Sequence, residues 1–194
     1  MRYRSYQGFN LNPIWTLILI NFLLFIATSI NQELIFLLGL QPAGFTAKPW
    51  TIVTSLFVHA GLWHIFANMM TLYFFGTYLT RLIGENKFLI VYFGGGILGS
   101  ILFILLASPF SIGVGASGAI FALGGALAIM RPKVPVMVFP IPAPIPLWVA
   151  VIGGFVILTA VSRFLPIGWQ AHLGGLVFGL IAGYFFKKRE RSFF

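Results

Sequence analysis

Residues 113 to 118 read Gly-Val-Gly-Ala-Ser-Gly. One serine, Ser117, stands among small residues at the head of an apolar run. Such a serine has two readings. Small residues let membrane helices approach closely, and a serine among them is ordinary packing. A helix N-terminus also carries unpaired N–H groups and the positive end of the helix dipole. Those features suit a nucleophile whose attack creates an oxyanion. The rest of the chain bears on the choice.

The solvent comes first. Hydrophobic residues make up 59% of the 194, mean hydropathy is +1.00, and only 8% are charged. Soluble domains carry about 25% charged residues, so this is a membrane protein, and its length suits a single domain over 1–194. Cysteine is absent. That excludes disulfides, thiolate nucleophiles and iron–sulfur clusters, and leaves the redox compartment unread. A net charge of +9 invites a nucleic-acid partner. The charges lie between apolar runs rather than on one face, which argues against it. The opening MRYRSYQGF lacks a signal-peptide cleavage pattern, so the first apolar run reads as a retained span.

Six spans are predicted, at 14–30, 62–79, 88–106, 116–130, 147–161 and 169–186. Asn12 and Pro13 supply a cap and a first-turn proline for the first. Asn21 within it should find a helix partner. Residues 31–61 form a long connection whose apolar centre, 34–40, is too short to cross a bilayer. It reads as a partly inserted loop, with Trp50 and Trp63 suited to an aromatic belt. Gly94, Gly95, Gly96 and Gly99 predict a tight contact in the third span. Pro135, Pro140, Pro142, Pro144 and Pro146 forbid a regular helix between the fourth and fifth, where an extended interfacial loop is expected.

Charge then sets the expected topology. With six spans, Arg2, Arg4, Arg81, Lys87, Arg131, Lys133, Lys187, Lys188, Arg189 and Arg191 share one side, and Lys48 and Arg163 the other. The positive-inside rule puts both termini in the cytoplasm. The basic residues act as anchors with some attraction to membrane lipid. Spans two, four and six then begin on the outer side, and His64, Ser117 and His172 lie within a turn or two of those starts. Three scattered polar residues become candidates for one site.

Each candidate keeps a plainer alternative. His64 and Asn68 are four apart and share a helix face; they form either a polar bridge between helices or part of the site. His59 does not share that face and is read as structural, through hydrogen bonding. His172 precedes Gly175, Gly179 and Gly183, a ridge of small residues that fits Gly118, Ala122, Gly125 and Ala126 of the fourth span. Such packing would bring His172 to Ser117 as a general base; otherwise the histidine caps or bridges helices. The acids are Glu33, Glu85 and Glu190, and none is placed to orient His172. A dyad is therefore expected, with packing and an aromatic ring steadying the imidazole. Zinc is disfavoured: HAGLWH lacks the metalloprotease HExxH pattern, and no acid is available to activate water. No metal or cofactor is expected.

These residues also resemble a known family. The segments HAGLWHIFAN (59–68), GASG (115–118) and AHLGG (171–175) are similar, in order and spacing, to those of rhomboid intramembrane serine proteases in their six-span core form. The resemblance runs from the first span to the sixth. It implies an all-α bundle of six transmembrane helices with a large, partly inserted first loop. It implies Ser117 as nucleophile and His172 as base, with His64, Asn68 and the Ser117 N–H forming the oxyanion hole. His59 would steady the first loop, Gly115 and Gly118 would belong to the nucleophile motif, and Gly175 and Gly179 would permit close helix packing. The end of the fifth span and the loop after it would be a movable gate. Two supporting motifs differ: Trp50 is followed by Thr51 where Trp-Arg is frequent, and Thr80-Arg81-Leu82 stands where Glu-x-Arg is frequent. No soluble domain before the first span and no seventh span are expected. The implied reaction is hydrolysis of transmembrane protein substrates near the outer face; such enzymes also occur in organelle membranes, and the compact chain without a transit-peptide pattern favours a prokaryotic cell membrane. The rival reading is a non-proteolytic rhomboid-like protein that binds or escorts membrane clients, and a small transporter is disfavoured because no inverted repeat or buried charge is visible.

Overall fold

The computed structural model describes residues 12–138 and 141–191, with side chains to 188. Arg2 and Arg4 of the charge argument lie outside the described residues, as do the side chains of Arg189, Glu190 and Arg191. In chain order the helices are α1 (Pro13–Ile30), α2 (Glu33–Leu38), α3 (Thr51–Thr54), α4 (Leu62–Ile83), α5 (Glu85–Leu106) and α6 (Ser117–Met130). Two short strands, β1 (Pro135–Val136) and β2 (Ile145–Pro146), precede α7 (Leu147–Val161) and α8 (Trp169–Arg191).

Helices occupy each of the six apolar stretches, but six membrane spans are not supported. Among the described residues, only α1, α5 and Trp169–Lys188 of α8 are long and apolar enough to cross a membrane. A fourth qualifies if Thr51–Phe57 and α4, bent by 94° at their break, count as one span. The reason is length. Helices α6 and α7 have 14 and 15 residues. At ~1.5 Å per residue they reach ~21 to 23 Å, short of a ~30 Å hydrocarbon core. The six-transmembrane fold is corrected to a helical bundle with three, at most four, qualifying spans. The protein remains an integral multi-pass membrane protein.

Local chemistry explains the element ends. Asn12 Oδ1 accepts from the Ile14 N–H at 2.9 Å, with Pro13 at the first helical position. Asn21, fully buried, donates to the Leu17 carbonyl of its own helix at 2.7 Å and also meets the Tyr92 side chain of α5. The proline-rich stretch is extended as expected but also pairs: Pro135 faces Pro146 and Val136 faces Ile145, antiparallel. Only alternate backbone groups are needed for so short a ladder, so terminal prolines are tolerated.

The core is built on α6, whose residues are nearly all buried. Helices α6 and α8 run parallel in a constant register, with Gly175 against the Gly118 carbonyl, Gly179 against that of Ala122, and Gly183 against that of Ala126. A side chain at any of the three would strike backbone. Helix α5 joins from the third side, where Gly95 meets Ala122 and Gly99 meets Ala171. Lipid offers no hydrophobic drive between helices, so such backbone-to-backbone packing supplies the cohesion.

Helix α7 contrasts. Only Leu147 and Val151 are buried, and a Cβ at Gly153 or Gly154 would meet nothing within 4 Å. Gly153→Ala and Gly154→Ala are therefore expected to leave the melting temperature in detergent unchanged or raise it slightly, since alanine favours a helix by up to ~1 kcal/mol. A clear drop would show that α7 is packed more closely than this.

Candidate functional site

The turn before α6 decides where Ser117 points. Gly115 has φ +121°, a conformation that L side chains rarely adopt. Its N–H donates to the Ser55 carbonyl at 2.9 Å, and Gly113 pairs through both its N–H and its carbonyl with Leu40, at 2.8 and 2.9 Å. The loop between α1 and α4 thus grips the segment that presents the serine. That loop is itself tied down. Thr54 Oγ1 donates to the Leu38 carbonyl at 2.7 Å, Trp50 Nε1 to that of Leu37 at 3.0 Å, and Ser100 Oγ of α5 to that of Ile52 at 2.9 Å.

Ser117 opens α6, half-buried, with its backbone in the N-terminal turn. His172 lies in the first turn of α8 and is buried. The glycine ridge brings the two together: His172 Nε2 and Ser117 Oγ are 2.8 Å apart. His172 Nδ1 has no hydrogen-bond partner among the described residues. The ring lies instead against Phe121, with centroids 4.7 Å apart and planes 31° apart. Phe121 is one turn beyond Ser117 on α6. Its i+4 spacing from Ser117 was a visible signal, although several other aromatics were equally available in the sequence.

His64 sits across Gly115. A Cβ built on that glycine would come within 2.8 Å of the His64 ring and 3.8 Å of Ser117 Oγ. Gly115 is thus needed for backbone conformation and for the imidazole to approach. Asn68 is buried, and its amide nitrogen donates to the His64 carbonyl at 2.8 Å. This bond lies within one helix and does not reach Ser117. His59 is buried, with the Phe57 backbone beside its ring. It packs edge-on against His64, centroids 5.0 Å apart. Gly118 stands against the Ala171 carbonyl, 3.1 Å from where its Cβ would be. Ser55 and Leu40, which hold the serine segment, carried no signal in the sequence because each acts through its backbone.

Replacing Phe121 by leucine tests the ring contact. If His172 acts as the base proposed below, the change is expected to lower turnover by about 10- to 100-fold, the usual cost of a loosely held catalytic group, with a smaller change in KM. Equal turnover in the variant would show that packing elsewhere suffices.

The fold and this arrangement define a class, and comparison with known proteins defines it independently. The Rhomboid domain family matches residues 46–189. The chain belongs to the rhomboid family. It is 32% identical over 145 residues to Rhomboid protein 1, mitochondrial, of Saccharomyces cerevisiae, covering 71% of this chain and 42% of that protein. It is 36% identical over 101 residues to Rhomboid protease GluP of Bacillus subtilis, covering 51% of this chain and 20% of that one. It is also 38% identical over 82 residues to Inactive RHOMBOID-like protein 8 of Arabidopsis thaliana, covering 41% and 23%. The chain thus spans less than half the length of these relatives. Names of both active and inactive members occur among them, so the chemistry has to be argued from the residues.

Proposed function

We propose that this protein is an intramembrane serine endopeptidase that cleaves transmembrane protein substrates. The observation that carries the reading is the 2.8 Å approach of His172 Nε2 to Ser117 Oγ. With the ring proton on Nδ1, Nε2 accepts the hydroxyl proton as Ser117 attacks a peptide carbonyl. The tetrahedral oxyanion forms at the N-terminal turn of α6, where the Ser117 N–H and the helix dipole favour negative charge. His64, across Gly115, is within reach as a further donor. Asn68 acts on the same oxyanion only if its amide turns from the His64 carbonyl, so its role is to fix that turn of α4 first. His172 returns the proton to the leaving amine, and water then releases the acyl group. No cofactor enters this sequence. A helical substrate bond is shielded, so cleavage favours segments that unwind easily.

For orientation, the end of the bundle holding Arg81, Lys87, Arg131, Lys133 and Lys187 is assigned to the cytoplasm, because short cytoplasmic loops are enriched in Lys and Arg. The site, at the opposite end of α6 and α8, then faces the outside.

A serine-directed phosphonate probe tests the dyad. Purified protein should form one adduct, on the peptide containing Ser117, and His172→Ala should lower its rate by at least ~10²-fold. Labelling that persists undiminished in Ser117→Ala, or an intact protein that never reacts, would sink the assignment and favour a client-binding rhomboid-like protein.

A further inference from the structure

The last four carbonyls of α2 have no partner inside the helix, and each finds one beyond it. The Gly39 N–H donates to the Ile35 carbonyl at 2.8 Å. Lys48 Nζ donates to that of Phe36 at 2.9 Å, Trp50 Nε1 to that of Leu37 at 3.0 Å, and Thr54 Oγ1 to that of Leu38 at 2.7 Å. Three side chains from one short segment therefore hold the end of α2. A helix of six residues has little stability of its own, so these bonds fix where its end lies.

That end leads directly to the serine segment. A Cβ on Gly39 would stand 2.9 Å from Ile112 and 3.1 Å from Val114. Leu40 then pairs with Gly113 through both backbone groups, and the Ala43 N–H donates to the Pro109 carbonyl at 2.9 Å. One arm of backbone thus runs from α2 along residues 109–114. The second arm is Ser55, whose carbonyl accepts from the Gly115 N–H. Thr54 belongs to the second arm, and its hydroxyl reaches the first. The two threonines of α3 differ in this respect. Thr51 Oγ1 donates to the Lys48 carbonyl at 2.6 Å, three residues back, which is the usual local bond. Thr54 Oγ1 leaves its own helix and bonds a carbonyl 16 residues back.

We propose that Thr54 is a positioning residue for the reaction: its hydroxyl ties together the two backbone arms that hold Gly113 and Gly115, and so sets the aim of Ser117. The inference rests on Ser117 being the nucleophile. Thr54 acts through backbone and not on the reacting atoms. Gly115, at φ +121°, has no side chain to fix it, so the turn depends on bonds from outside. Trp50 and Lys48 hold carbonyls one and two residues before that of Leu38, further from the serine segment, and their contribution is smaller for that reason.

Thr54→Val keeps the shape and removes the donor, whereas Thr54→Ser keeps the donor. The test measures kcat and KM on a labelled transmembrane substrate, together with amide hydrogen exchange at Gly113 and Gly115, on the full chain. Thr54→Val should lower kcat about tenfold with KM within about twofold, because a misplaced reacting group loses rate before binding. Exchange at the two glycine amides should quicken by about 2- to 10-fold, the loss of one hydrogen bond. Thr54→Ser should restore both. Ser29→Ala, an exposed α1 hydroxyl bonded to the Phe25 carbonyl of its own helix, should change neither. If Thr54→Val fails to fold, Trp50→Phe, at a position 46% exposed, should lower kcat about threefold with the same exchange signature. Unchanged kcat in Thr54→Val would overturn the proposal, as would a fall in kcat without faster exchange, or a loss that Thr54→Ser does not recover. Wild type that neither labels nor cleaves would sink the protease assignment instead. The exchange rates need no activity and would still decide whether Thr54 holds the serine segment.

Discussion

Ser117→Ala is expected to reduce cleavage of a labelled transmembrane substrate in proteoliposomes by at least ~10³-fold, with substrate binding retained. The size follows from the geometry. Ser117 Oγ is the hydroxyl poised on His172 Nε2, at 2.8 Å, and the substitution removes it, leaving a methyl side chain that does not disturb the packing. Oxyanion stabilisation then has no covalent intermediate to act on. A threonine at this position tests the same point from another side: it keeps the hydroxyl but adds a methyl group beside Gly115 and the His64 ring. Substantial activity in Ser117→Ala would mean that another group attacks, and the dyad would have to be abandoned.

Gly175→Val should be the most damaging substitution outside the chemical groups. Even a Cβ here would overlap the Gly118 carbonyl of α6, and that carbonyl is backbone in a buried helix, so nothing can swing aside. Overpacking of this kind typically costs about 1 to 3 kcal/mol, or on the order of 2 to 12 °C in melting temperature for a chain of this size. Activity should fall further than stability, by about 10²-fold or more in protein that still folds. The reason is that α6 and α8 carry Ser117 and His172 respectively, and this glycine sits one turn below the dyad. Thermal melting and substrate cleavage measured on the same preparation separate the two effects. A variant with unchanged melting and cleavage would show that the helices can separate without consequence.

The two expectations rest on one relation: a glycine ridge sets the distance between a hydroxyl and an imidazole. That relation was legible in the sequence because small residues at a four-residue spacing have one physical use in lipid, close approach. The positions of the main helices were legible for a similar reason, since long apolar runs have few other fates. The span count was not. Apolar composition marks 116–130 and 147–161 as membrane-buried, yet helices of 14 and 15 residues fall short of the bilayer thickness, and hydropathy alone does not distinguish a short buried helix from a crossing one.

The sequence by itself determined the solvent, the family and the residues that could do chemistry. These depend on composition and local spacing, which folding does not change. Tertiary structure alone decided what stands where an acid was missing. The Phe121 ring lies there, against His172, because a ring on the same helix as Ser117 can reach the imidazole that α8 carries. It also decided how the serine is aimed, through Gly115 N–H to Ser55 and the pairing of Gly113 with Leu40. Those bonds join backbone atoms far apart in the chain, and backbone atoms are the same in every residue. No pattern of side chains could have announced them.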